Sequence, residues 1–254
     1  MQRYFSSQTY EESQQSALVL SGDDFHHSIH VMRMKAGDQC YLVFADQVAI
    51  IAELTEVLAE TVSLREVSRE TQEKELPVAI TIASGYPKGD KLDLIVQKGT
   101  ELGAYQFVGF PGQTSVVKWD AKKLNKRQER LTKIAKEAAE QSHRLVQPEV
   151  TLYSQMSEFM ATLANYDHVL VAYEESAKAG EHGQLVKTLS QIKPGESLLA
   201  VFGPEGGLSS QEIQTFLGAG GSLCALGPRI LRTETAPFYL LSAASYQLEL
   251  LKNV

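Results

Sequence analysis

Ser197-Leu-Leu-Ala-Val-Phe-Gly-Pro-Glu-Gly-Gly-Leu-Ser-Ser-Gln-Glu-Ile213 is the stretch on which the fold turns. Ser197–Phe202 is a nearly unbroken apolar run, the pattern of a strand buried on both faces of a parallel sheet. It runs straight into Gly203-Pro204-Glu205-Gly206-Gly207. Ser209, with Glu212 three residues on, then forms a capping box that opens a helix. In open α/β sheets ligands bind outside the carboxyl ends of strands, and glycines let main chain approach a ligand closely. The Lys-Ser/Thr of a P-loop and the third glycine of GxGxxG are missing, which disfavours triphosphates and dinucleotides. Spacing alone leaves a plain strand-to-helix turn and a ligand loop as alternatives.

The same rhythm extends in both directions. Downstream, Ser222–Leu226 reads as a strand. Leu226-Gly-Pro-Arg-Ile-Leu-Arg-Thr-Glu-Thr-Ala236 follows it, and then a helix that Thr235 or Thr233 can cap, with Pro237 in its first turn. Upstream, Val78–Ser84, Tyr105–Phe110 and His168–Tyr173 read as strands. Asp90–Leu102, stopped by Gly103, reads as a helix, as do Ala121–Gln141 and Gly183–Gln191. Such alternation implies an α/β fold, a mostly parallel sheet with helices on both faces.

The first third is different. Gln39–Val48, Ala49–Val57 and Thr61–Val67 are rich in Val, Ile, Leu and aromatics, with turn residues between them. Gly22-Asp23-Asp24 and Ala36-Gly37-Asp38 read as turns, and Phe25–Met34 as a short helix. Short strands at this spacing suggest a small β-barrel. The polar Val67–Leu76, followed by Pro77, marks the boundary, giving domains over 1–72 and 77–254.

The formal charge is −7, which argues against binding nucleic acid by bulk charge. The acidity is concentrated in the first third, whereas Lys118–Arg144 is strongly basic. That face suggests phosphate contact, with Arg144 and His143 reaching toward the active site; a plain solvated face is the alternative. Lys98 and Glu101 stand one helical turn apart and can pair.

Cys40 and Cys224 stand alone and read as small buried hydrophobes. His26, His27, His30, His143, His168 and His182 form no ligand-spaced set, so no metal is expected. Met1–Gln15 lacks an apolar signal core. Phe238–Leu251 is too short and too interrupted to span a bilayer. A cytoplasmic protein without membrane partners is expected.

GPEGGLSSQEI (203–213) together with LGPRILRTETA (226–236) closely resembles the SPOUT-class RNA methyltransferases. With YPKGDKLDLIVQKGTELG (86–103) and KEAAEQSHRLVQPEV (136–150), the chain is similar to those that methylate N3 of a uridine in small-subunit (16S) ribosomal RNA. HHSIHVMRMKAGD (26–38) resembles that family's PUA-like domain, and MQRYF its start. The resemblance covers nearly the whole chain. It implies S-adenosylmethionine as cofactor, a deep C-terminal trefoil knot, a homodimer, and the assembled or nearly assembled small subunit as partner. The apolar final helix is compatible with burial between subunits.

The resemblance also implies which residues hold the cofactor. These are Val171, Ala172 and Tyr173, then Phe202, Gly203, Pro204, Glu205 and Gly206, then Leu226, Gly227, Ile230 and Leu231, with Thr235 and Ala236. Gly206 should be a place where a side chain would block the ligand. Arg232 is the expected catalytic or orienting cation. Glu205 and Glu234 are candidates for the base or for orienting an arginine, and the sequence does not choose between them. Arg33, Lys35, Lys98 and Arg144 are expected RNA contacts. The alternatives are another base or a ribose 2′-OH as target, or a non-catalytic assembly factor.

Overall fold

The structure, a computed structural model, describes residues 1–175 and 183–251. His182 and the last three residues of the expected second domain lie outside the described residues. The chain divides into two compact units, Met1–Glu75 with Ala139–Gln147, and Leu76–Ala138 with Pro148–Val254.

The first unit holds one five-stranded sheet. Its strands are β1 (Gln2–Phe5), β2 (Val19–Ser21), β3 (Gln39–Val43), β4 (Ala49–Val57) and β5 (Thr61–Arg69), in the order β1-β3-β4-β5-β2. Only β1 pairs in parallel, with β3. β1 and β2 escape sequence reading because runs of four and three residues carry no readable period. The strand expected over Gln39–Val48 ends at Val43, and Gln47 takes φ +65° in the turn into β4.

Tyr10–Ser13 is a short helix, α1. The turn expected at Gly22 is instead the start of helix α2 (Gly22–Phe25), which widens into a π-helical turn over His26–Val31. Gly37, at φ +93°, does make the expected turn, where the Asp38 carboxylate accepts from the Lys35 N–H at 2.8 Å. Tyr4, Leu20, Phe25, Leu42, Phe44, Ile50 and Leu54 form the core.

The second unit alternates strand and helix. In chain order it comprises β6 (Ala79–Gly85), α3 (Lys91–Glu101), β7 (Gln106–Phe110), α4 (Ala121–Gln141), β8 (Glu149–Leu152) and α5 (Met156–Met160). β9 (His168–Ala172), α6 (Gln184–Gln191), β10 (Ser197–Phe202), α7 (Ser210–Gly218), β11 (Ser222–Cys224) and α8 (Thr235–Ser245) follow. The last residues of α4 are grouped with the first unit.

The six strands are all parallel, ordered β11-β9-β10-β6-β7-β8. Alternate side chains of one strand serve opposite cores, as a two-residue period demands. Ile80, Ile82, Leu198, Ala200 and Phe202 pack with Ile95 of α3, Leu131 of α4, Leu189 of α6 and Leu240 and Leu241 of α8. Ala83, Leu199 and Val201 pack with Phe159 of α5 and Ile213 and Phe216 of α7. Cys40 and Cys224 are buried and unlinked.

The helix starts follow different rules. The Ser209 hydroxyl accepts from the Glu212 N–H at 3.2 Å, and the Glu212 carboxylate accepts from the Ser209 N–H at 2.8 Å. That completes the expected capping box. No threonine caps α8: Glu234 occupies the capping position and its side chain makes no capping bond.

Candidate functional site

β9, β10 and β11 are neighbours in the sheet, so the loops leaving their carboxyl ends emerge side by side. These loops line one cavity of about 790 Å³, within the range of small-molecule and cofactor sites. The Tyr173 N–H donates to the Cys224 carbonyl at 3.1 Å, which continues the β9–β11 pairing to the cavity's edge.

The loop after β10 is tightly folded. A β-carbon on Gly203 would lie 2.8 Å from the carbonyl carbon of Gly207 and 2.9 Å from the nitrogen of Leu208, both backbone atoms. The Gly207 N–H donates to the Pro204 carbonyl at 2.9 Å, and Gly207 adopts φ +72°. Thr114, in the loop after β7, donates its hydroxyl to the Gly207 carbonyl at 2.5 Å. A β-carbon on Gly206 would lie 2.8 Å from Cβ of Thr114. Gly206 is thus kept small by a neighbouring side chain, which is a different reason from the ligand's approach expected above.

The loop after β11 carries Arg229 and Arg232, both exposed and both lining the cavity. Gly227 turns at φ +83°. The Arg232 carbonyl accepts from the N–H groups of Thr235 and Ala236, at 2.9 and 3.0 Å, and leads the loop into α8.

The connection after a fourth strand, β6, contributes one charge. Lys91, first residue of α3, lines the cavity with Nζ 2.9 Å from Glu205 Oε1 and 3.6 Å from Glu234 Oε2. The Lys88 N–H also donates to Glu205 Oε1, at 3.0 Å. Burial alone would raise the Glu205 pKa, but the Lys91 ammonium and the Lys88 N–H outweigh it and hold the carboxyl below its ordinary range. Glu205 in turn holds the Lys91 ammonium above its own usual range. Glu234 does not line the cavity, and among the described residues its buried Oε2 has no hydrogen-bond partner, only the ion pair with Lys91 at 3.6 Å.

Ala172, Tyr173, Phe202–Gly206, Leu226, Gly227, Ile230, Leu231, Arg232 and Ala236 all line the cavity. Val171 does not, because it points into the core between sheet and helices, and Thr235 lies outside the lining as well. Sequence reasoning missed Lys91, Glu174 and Glu175. The two glutamates follow β9 after Tyr173, so the rule that ligands sit at strand carboxyl ends could have found them. Lys91 needed the knowledge that β6 adjoins β10.

The expected RNA contacts separate. Arg33 and Lys35 are exposed in the first unit. Lys98 pairs with Glu101 at 2.8 Å. Arg144 is only 3 % exposed, and its guanidinium Nε donates to both oxygens of Glu75, at 2.9 and 2.8 Å. Glu75 also accepts from the N–H groups of Leu145 and Val146. Arg144 therefore ties 139–147 to the end of 1–75 within the first unit, its guanidinium turned to Glu75 and little of it left to solvent. His143 packs edge-on against Tyr41 in the same unit, with burial pushing its pKa down.

Among the described residues no group of His, Cys, Asp and Glu is placed to hold a metal. No helix among them is long and apolar enough to cross a membrane.

Comparison with known proteins matches residues 74–245 to the family model described as RNA methyltransferase domain, and residues 20–66 to RNA methyltransferase PUA domain. The chain is 47 % identical over 254 residues to ribosomal RNA small subunit methyltransferase E of Bacillus subtilis, covering 100 % of this chain and 99 % of that one. A crystal structure of a hypothetical protein, 45 % identical, superposes with a TM-score of 0.89 over 98 % of this chain and 100 % of that one. Ribosomal RNA small subunit methyltransferase E from Neisseria gonorrhoeae, solved bound to S-adenosyl methionine, is 25 % identical with a TM-score of 0.77, covering 96 % of this chain and 97 % of that one.

Proposed function

The chain belongs to the RNA methyltransferase family, and from that premise we propose that it transfers a methyl group from S-adenosylmethionine to N3 of a uridine in small-subunit ribosomal RNA. The observation that carries this reading is the cavity at the ends of β9, β10 and β11. Its volume suits a nucleoside-sized cofactor. Two glycine-containing loops, 202–208 and 226–233, supply most of its lining residues, and their main chain can offer donors and acceptors to adenine, ribose and amino-acid groups. The residues present fit the cofactor.

When bound, S-adenosylmethionine supplies an electrophilic methyl group on a sulfonium. Ala172, Tyr173, Gly203–Gly206 and Leu226–Leu231 hold it in this reading. The remaining task is to aim uracil N3 at that methyl and to remove its proton. Of the two candidate carboxylates, Glu205 faces the cavity and Glu234 does not, so Glu205 is assigned to the N3–H. A carboxylate held below its ordinary range is a weak resting base. It accepts a hydrogen bond from N3–H first, and takes the proton as the new N–C bond makes that hydrogen acidic. Arg232, exposed on the cavity wall, offsets negative charge on the uracil carbonyl oxygens.

The reading includes a PUA-like RNA-binding domain over 1–72 and a catalytic domain over 77–254 that carries the SPOUT knot. RNA docks through Arg33, Lys35 and the exposed Lys122, Lys123 and Lys126 of α4. The exposed Tyr239, Tyr246, Leu250 and Leu251 at the end of the chain are the surface for a second subunit. The enzyme works in the cytoplasm on the assembled or nearly assembled small subunit, whose shape substitutes for bulk charge in recognition.

The test is nucleoside mass spectrometry of ribosomal RNA from cells with and without the protein. N3-methyluridine should disappear from small-subunit RNA in its absence. Loss of a ribose methylation instead, or no change, would overturn the proposal.

A further inference from the structure

Lys91 opens an eleven-residue helix, at the end where the dipole is positive and a lysine is unfavourable. A residue that breaks a local rule points to a role outside its own element. Its ammonium lies between two carboxylates that belong to different loops, 2.9 Å from Glu205 Oε1 and 3.6 Å from Glu234 Oε2. Lys91 itself comes from the connection after β6. Among the described residues it is the one cavity-lining residue that precedes Ala172. The Lys88 N–H and the Lys91 ammonium both land on Oε1 of Glu205. Two donors on one oxygen fix the carboxylate's orientation and leave Oε2 engaged by neither lysine.

We propose that Lys91 is a positioning residue for methyl transfer: it clamps Glu205 and Glu234, so that Glu205 presents its second oxygen to the substrate base and the two loops keep a fixed spacing. This rests on the reading of the cavity as the methyl-donor site. The charged groups around Lys91 are Lys88 and Asp90 before it in the chain, with Asp90 3.9 Å from Arg127. Glu205 and Glu234 lie against it, and Glu174, Glu175, Arg229 and Arg232 line the same cavity. Without Lys91, burial would act on Glu205 with the Lys88 N–H as its main opponent. The carboxyl pKa would then rise, and the ionised form that receives the uracil proton would be lost at higher pH than in the wild type.

The test uses full-length wild type, Lys91→Met and Lys91→Arg. S-adenosylmethionine is titrated by calorimetry, and single-turnover methylation of small ribosomal subunits is followed across pH. Lys91→Met should slow transfer about 10- to 100-fold at neutral pH, less than the roughly 100- to 10,000-fold of a lost acid–base group, because Glu205 itself stays. Its acid limb should move to higher pH, with cofactor affinity within about 3-fold of wild type. Lys91→Arg should restore both rate and limb.

An acid limb unmoved in Lys91→Met, whatever the rate, would overturn the proposal. So would a loss of cofactor affinity large enough to account for the whole rate loss. If Lys91→Met does not fold, Glu205→Gln decides: disappearance of the acid limb supports the proposal, and its persistence overturns it. Absence of cofactor binding by the wild type would instead bring down the reading of the cavity, a distinguishable result.

Discussion

A β-carbon on Gly85 would lie 2.5 Å from Cδ of Pro204 and 2.9 Å from its nitrogen. The end of β6 thus buttresses the loop after β10 with no room for one methyl group. Gly85→Ala should push that loop off its seat, costing about 1–3 kcal/mol of stability and weakening cofactor binding about tenfold, the equivalent of about 1.4 kcal/mol. Chemical denaturation and calorimetry check the two effects. An unchanged affinity would show that the loop is positioned by something other than this contact.

Gly206 and Thr114 form a second such contact, and here the neighbour is a side chain. Gly206→Ala should weaken cofactor binding, and the same change in a Thr114→Gly background should weaken it less. The coupling measured by that double-mutant cycle should be about 0.5–3 kcal/mol. Additive effects would point back to a direct clash with the ligand.

Arg232→Ala should abolish turnover, a loss of about 100-fold or more, while cofactor affinity stays near that of the wild type. Its side chain is exposed on the cavity wall, so the fold should survive. Methylation at a near-normal rate would remove Arg232 from the reaction.

Arg144, buried against Glu75, should matter to stability rather than to RNA binding. Arg144→Met leaves Glu75 without its guanidinium partner. It should destabilise the protein by about 3 kcal/mol, the lower end for a broken buried pair because Glu75 retains some exposure. The salt dependence of RNA binding should not change in this variant. It should flatten by about one unit for each of Lys122, Lys123 and Lys126 replaced by Ala. A flatter slope for Arg144→Met, measured on folded protein, would return that residue to the RNA interface.

These residues also mark how far the sequence could be read. Ser197–Phe202 is legible as a strand and Ser209 with Glu212 as a helix start, because periodicity and capping act within a few residues. The loops 203–208 and 226–236 are legible as neighbours only through resemblance, since strand order is a property of the whole sheet. Lys91 stayed hidden for the same reason: its partner Glu205 is 114 residues away. The burial of Arg144 was not legible either: a basic residue three positions past a basic helix looks solvent-facing until Glu75, 69 residues earlier, is brought against it. β8 and α5 were too short to register, at four and five residues.

The most direct measurement is a calorimetric titration of full-length wild type and Gly203→Val with S-adenosylmethionine, with circular dichroism to confirm that both are folded. The wild type should bind one molecule per chain. Gly203→Val, whose side chain would meet the backbone of Gly207 and Leu208, should lose binding at least about tenfold, or about 1.4 kcal/mol. Silence from the wild type, or equal binding by a folded Gly203→Val, would contradict the assignment of the methyl donor to this cavity.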